Sequence, residues 1–289
     1  MTYRLAGQSG SFDGNVAGAS SPSPANSNAA KLVAVPGPMR PMLAQVDLAG
    51  VVQALAPHPS IARPEVYYPL QTAAGGFNTN QALGSSLANV GTVGTATVAG
   101  ALAPIPIVQE ASAAVAGSLA VWAQAFANHV YGNGFGLYAL LEFAVTDALG
   151  SVSNMFIGLR NSTAAPTDVD ASTLTNLIGI GITNGDANLQ VYGAGAVAQP
   201  RTSLGANFPI PAATDVYRLE IYGPKSLAAP TPAPSYQLTR LATGAVVQGR
   251  FTNFPAAGTS LGWSMWRSNA GIAVTSKISL AYAYVDRSP

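Results

Sequence analysis

Val216-Tyr-Arg-Leu-Glu-Ile-Tyr222 reads as a strand with one buried face, because Tyr217, Leu219 and Ile221 alternate with Arg218 and Glu220 at the two-residue period of extended chain. Further on, Tyr236-Gln-Leu-Thr-Arg-Leu241 alternates again, Ala242-Thr243-Gly244 supplies a turn, and Ala245 to Phe251 runs back. The stretch from Asp215 to Phe251 is therefore a strand followed by an antiparallel hairpin. The same pattern spreads to both sides. Phe135, Leu137, Leu141, Phe143 and Val145 share a face opposite Tyr138 and Glu142, and Asn154 to Leu159 is a further strand. Leu177 to Thr183 and Asn188 to Tyr192 flank Asn184-Gly-Asp-Ala187, a hairpin signal. Lys277 to Val285 puts Ile278, Leu280, Tyr282 and Tyr284 on one face.

The remaining stretches fit between these. Ala164 to Asn176 reads as a loop in which Asp170 or Ser172 caps a single helical turn. Thr92 to Val98 is a strand interrupted by a Gly bulge. Ser112 to Asn128 fits a helix face through Leu119, Trp122 and Phe126 or a buried strand through Val121 to Phe126, and strand is favoured. Many short alternating strands, separated by Gly, Pro and Asn turns without intervening helices, predict an antiparallel β-sandwich of jelly-roll or lectin-like kind over residues 71–289.

Residues 1–70 differ in kind. Up to about residue 40, Gly, Ser, Asn, Ala and Pro dominate and predict an extended arm with no core of its own. Over 41–56, Pro41 suits a first helical turn, Leu48, Val51, Val52 and Leu55 fall on one face, and Pro57 stops the run, so one short amphipathic helix is expected. Such a helix is marginal alone, and Leu48, Val52 and Leu55 supply a seam for three copies. Pro57, Pro59, Pro64 and Pro69 then read as a linker.

Composition narrows the function. Only 9% of residues are charged, against about 25% in an average soluble protein, so the neutral surface calls for cover by identical copies. A homotrimer is the expected state. A net charge of +1 offers no footprint for nucleic acid or anionic lipid. The absence of cysteine excludes disulfides and thiolate chemistry. Val98 to Val108 is broken by Pro104 and Pro106, and Ala111 to Phe126 is short, so membrane insertion is not expected.

From Gly117 onward the order of features resembles the lectin-like sandwich of bacteriophage fibre and virion appendage proteins. The residues that carry the resemblance are Phe156-Ile-Gly-Leu159, Ala165-Pro166, Ser172-Thr-Leu-Thr-Asn176 with Ile178-Gly179, Asn188-Leu-Gln190, Leu204-Gly205 with Phe208-Pro209, Thr243-Gly244 and Trp266-Arg-Ser-Asn269. The resemblance implies a trimeric virion protein whose residues 1–70 attach to phage capsid or tail proteins and whose sandwich faces outward to meet a host surface glycan. An architectural capsid or tail component without host ligand is the alternative.

Enzyme signatures fare poorly against this reading. Gly258-Thr-Ser-Leu-Gly262 has the spacing of a nucleophile elbow but no helix after it. Gly193-Ala-Gly-Ala-Val-Ala198 has a dinucleotide-loop spacing, but Gln199-Pro200 blocks the helix that would hold the pyrophosphate. His58 and His129 have no second ligand at metal spacing, and Asp168 and Asp170 suit turn caps better than calcium. Glu142 and Glu220 are the carboxylates a glycosidase reading would use, and spacing alone does not bring them together. No cofactor and no metal are expected, and the protein reads as a non-enzyme. Two ligand-binding features remain. Asn184, Asp186 and Asn188 offer amides and a carboxylate to sugar hydroxyls from one hairpin loop, and Trp263, of opposite strand parity to Trp266, is the tryptophan expected at the surface.

Overall fold

The computed structural model describes residues 31–36, 41–46, 52–54, 65–67, 87–97, 100, 106–124, 129–134, 136–162, 164–224 and 233–288. The chain forms two units, Met1–Ile61 and Ala62–Pro289. In the first, β1 (Lys31–Pro36), β2 (Pro41–Val46) and β3 (Val52–Ala54) make a three-stranded antiparallel sheet. The helix expected over 41–56 is therefore corrected to strands. β1 pairs with β2 from Lys31 against Val46 to Pro36 against Pro41, so a neighbouring strand satisfies backbone groups that a helix would satisfy internally. Val46 and Val52, paired across β2 and β3, are β-branched and suit extended chain. Leu48 and Leu55 lie outside the described residues, and Val52, on a strand, does not carry the helical seam drawn through them.

The second unit starts with β4 (Glu65–Tyr67), inside the proline-rich stretch expected as linker. It continues with β5 (Leu87–Val90), β6 (Thr92–Thr97), β7 (Pro106–Ala111), β8 (Leu119–Gln124), β9 (Gly136–Ala144), β10 (Met155–Arg160), β11 (Leu177–Ile182) and β12 (Gln190–Ala194). The series ends with β13 (Thr202–Ser203), β14 (Val216–Gly223), β15 (Ser235–Arg240), β16 (Ala245–Arg250), β17 (Gly262–Ser268) and β18 (Lys277–Ser288). One sheet has seven strands in the order β13-β12-β11-β10-β17-β8-β5. The other has eight, with β16-β15-β14-β9-β18-β7-β6 in line and β4 paired to β18. Among the described residues the strand pairs are antiparallel, and the second unit is a two-sheet β-sandwich.

The alternating residues behave as their period requires. Tyr217, Leu219 and Ile221 of β14 face Ile157, Ile178, Ile180 and Met265 of the other sheet in one core, while Arg218 and Glu220 stay on the outer face. Three local readings change. Trp263 is 1% exposed and belongs to this core, so it is not a surface tryptophan. The register passes through Gly94 without a bulge. In β18 the register shifts between Leu280, opposite Phe143, and Tyr282, opposite Glu142, so the unbroken two-residue period read through Ile278 is interrupted there.

The seven-stranded sheet is covered on its second face as well. Val121, Phe156, Leu177, Tyr192 and Trp266 form a separate apolar cluster there with Ala171. Gly158 and Gly179, opposite each other on β10 and β11, leave room beneath the Phe156 ring, whose tip would lie 3.0 and 2.9 Å from β-carbons added at the two positions. Behind the sheet's end, Asn269 ties three segments together by donating to the Val115 and Val274 carbonyls and accepting from Gly117 N–H.

A carboxyl group is buried between the two sheets. Glu110 of β7 is fully buried, accepts a 2.7 Å hydrogen bond from the Trp122 indole across the sheets, and leaves Oε1 without a partner. Burial pushes its carboxyl above the ordinary value of 4.5, and the Trp122 bond only partly offsets that. Because folding raises this pKa, the stability is fully present below about pH 4.5 and is lost as pH rises toward the folded pKa. Glu110→Gln is therefore expected to stabilise the sandwich at pH 7 and to flatten this dependence. Urea titrations of both proteins between pH 5 and 8 check it, and an unchanged slope would refute it.

Candidate functional site

The connection between β10 and β11 does not stay at the end where β10 finishes. Asp168 reaches Asn154, at the start of β10, and also accepts from Ser268, so residues 161–176 are folded back across the sheet's outer face. Asp170 caps the single turn Ala171–Thr173 by accepting from Ser172 N–H at 2.8 Å, as its place in the loop predicts. Ala171 anchors that turn in the outer apolar cluster. The turn thereby stands beside the β11–β12 hairpin and the chain leading into β13.

Where these three meet, Arg201 joins two carboxylates. Its Nη1 donates to Asp170 at 2.9 Å, and Nε and Nη2 donate to both oxygens of Asp186 at 3.1–3.3 Å. Asp186 also accepts from Thr183 N–H at 2.7 Å, which fixes the hairpin turn around Gly185. Burial pushes the Asp170 carboxyl up, but hydrogen bonds from Thr183 and Ser172 and the Arg201 charge outweigh it and hold it below its usual range. Above this network opens a hollow of about 880 Å³, lined by Ser172, Thr173, Gln190, Gln199, Arg201 and Ser203 among others. Gln199 makes no side-chain hydrogen bond among the described residues, and Ser203 is exposed.

The structure divides the residues expected in the hairpin loop. Asp186 lines the hollow, but its carboxylate is occupied by Arg201 and Thr183 and so acts as a brace. Asn184 is exposed, with its backbone N–H held by Asn154 Oδ1. Asn188 is half-buried, its carbonyl accepts from Gln190, and it bridges to Pro209. Trp263 is remote in kind, a core residue. Arg201, Gln199 and Ser203 were not legible as site residues, because Gln199-Pro200 registers in the sequence only as a helix breaker. The one available signal was an arginine in a chain with few charges.

Of the two carboxylates weighed for calcium, Asp168 accepts from Asn154 and Ser268, and Asp170 accepts from Ser172 N–H and Arg201. His129 is buried and hydrogen-bonded to Gln124, while His58 lies outside the described residues. β12 leads into no helix, and a side chain at Gly193 would overlap the Asn253 carbonyl, so this glycine serves close packing. Glu142 and Glu220 do share the outer face of the eight-stranded sheet. Glu142 is paired with Arg218, and Glu220 accepts from Tyr138, Tyr222 and Gln237. Among the described residues no helix is long and apolar enough to cross a membrane.

No family model and no curated protein matches this chain. Among solved structures it is similar to a protein of unknown function from Shewanella oneidensis MR-1, at 12% identity and a TM-score of 0.49 over 76% of this chain and 84% of that one. Lectin II from Ulex europaeus is similar at 11% identity and 0.46, over 70% and 93% of the two chains. An endo-β-1,4-glucuronan lyase from Trichoderma reesei is similar at 8% identity and 0.41, over 77% and 95%.

Proposed function

We propose that the sandwich is a non-enzymatic carbohydrate-binding module whose ligand sits in the hollow beside Arg201. The observation that carries this reading is the lining itself: hydroxyls of Ser172, Thr173 and Ser203, amides of Gln190 and Gln199, and a guanidinium held rigid by two carboxylates. Such groups donate to and accept from sugar hydroxyls, and a braced arginine loses little freedom on binding. Among the described residues no aromatic ring lines the hollow, so hydrogen bonds carry the affinity, on the order of a millimolar Kd.

The setting we propose for this module is a phage particle, with residues 1–70 attached to capsid or tail proteins and the sandwich carried in three copies toward a host glycan. The order of sequence features and the sparse charge support it. Light scattering of the full chain checks the copy number, and a monomer at micromolar concentration would sink the trimer.

The binding reading is tested with Gln199→Ala and Ser203→Ala, which touch the rim and leave the Arg201 brace in place. Labelled full chain is screened on a glycan array, and each variant is then titrated with the best saccharide. The double variant is expected to bind about tenfold more weakly, the loss of roughly one hydrogen bond to a charged or well-placed group, at unchanged melting temperature. Equal binding by the double variant would move the site away from the hollow.

A further inference from the structure

The charges around the hollow restrict what enters it. Arg201 brings one positive charge, and Asp170 and Asp186 bring two negative ones, so the formal sum there is −1. The guanidinium has five N–H groups, of which those on Nε, one on Nη1 and one on Nη2 are committed to the carboxylates. One N–H therefore remains on each terminal nitrogen. These can hydrogen-bond a hydroxyl, while the Nε–Nη2 edge is closed by Asp186 and the positive charge is already offset by two carboxylates. Among the described residues no other charged side chain lines the hollow.

Resting on the carbohydrate reading above, we infer that the hollow selects uncharged or amino-substituted saccharides and refuses carboxylated and sulfated ones. The arginine is thus a positioning residue for neutral hydroxyls, its charge already neutralised. This sets the hollow apart from an arginine site for acidic glycans, in which the guanidinium charge is not offset by neighbouring carboxylates.

The test compares glucose, glucosamine and glucuronate, or the matching units of whichever oligosaccharide binds, against the full chain at low salt. A ligand anion several ångströms from one uncompensated charge in a wet, open site is expected to bind roughly three- to tenfold more weakly than its neutral counterpart. The gap should close as salt is raised, since exposed charges are screened. Asp170→Asn, which removes one negative charge and keeps the side-chain shape, should abolish it. Glucuronate binding as well as glucose or better, with the loss in Gln199→Ala showing that it occupies the hollow, would overturn the selectivity and leave the carbohydrate reading standing. Binding of every sugar unaffected by Gln199→Ala would instead overturn the hollow as the site. If Asp170→Asn does not fold, the salt series on the unaltered chain decides, and a gap that does not shrink with salt counts against the charge account.

Discussion

Asp147→Ala should lower the stability of the sandwich by roughly 3–5 kcal/mol, the range for breaking a buried ion pair by deleting one partner. The side chains of Arg267 of β17 and Asp147 are 0% and 2% exposed and meet through Nε at 2.7 Å and Nη2 at 2.9 Å. Asp147 also accepts from Leu149 N–H and from Lys277 N–H, where β18 begins. Without it, a guanidinium is left in the interior with the Gly150 carbonyl and the Met155 sulfur for company. For a unit of this size a loss of 1 kcal/mol moves the melting temperature by about 2–4 °C, so a fall on the order of 10 °C is expected in a thermal scan. Replacing both partners at once, Asp147→Leu with Arg267→Met, should recover much of the loss, because no unpaired charge remains. A fall of under 2 °C in the single variant would mean that water or another group already compensates Arg267.

The second large effect is expected at Gly179. A β-carbon there would overlap the carbonyl oxygen of Ile157 on the paired strand and lie 2.9 Å from both the Gly158 Cα and the Phe156 ring tip. Gly179→Ala must therefore push β10 and β11 apart or turn Phe156 out of the cluster with Tyr192 and Trp266. Overpacking of this kind costs about 1–3 kcal/mol. Gly94→Ala is the control, since a β-carbon on that strand meets nothing within 4 Å, and an effect near zero or slightly stabilising is expected. Chemical denaturation of the two variants side by side checks the contrast. Equal small effects would show that the sheet relaxes around Gly179 without penalty.

These positions also show what the sequence could and could not disclose. Tyr217, Leu219 and Ile221 declared their strand because one face is buried and the other wet, which is the condition under which alternation is visible. β17 is buried on both faces, so parity said nothing about Trp263, and the inference that it was exposed failed for that reason. The run from Pro41 misled because a helical spacing of Leu and Val residues arises readily in a short apolar stretch, and only the partner strand β1 decides the matter. The residues that carried the resemblance turn out to pack one another: Gly158 against Gly179, Trp266 beside Phe156 across β17 and β10, and Ser268 holding the Asp168 loop. They speak to the fold. The hollow was only half legible, since Asp186 announces itself in a polar turn, whereas Arg201 reaches Asp186 across 15 residues of chain and Asp170 across 31, the latter in a loop folded over the sheet.

A saccharide held in the hollow beside Arg201 would be seen by amide chemical-shift mapping. Isotope-labelled full chain is titrated with the best neutral saccharide to several times the expected millimolar Kd. Progressive shifts at Ser172, Thr173, Gln199, Arg201 and Ser203, with the outer face around Glu142 and Glu220 unmoved, are the predicted result. Shifts centred on that outer face, or none anywhere at saturating sugar, would contradict it.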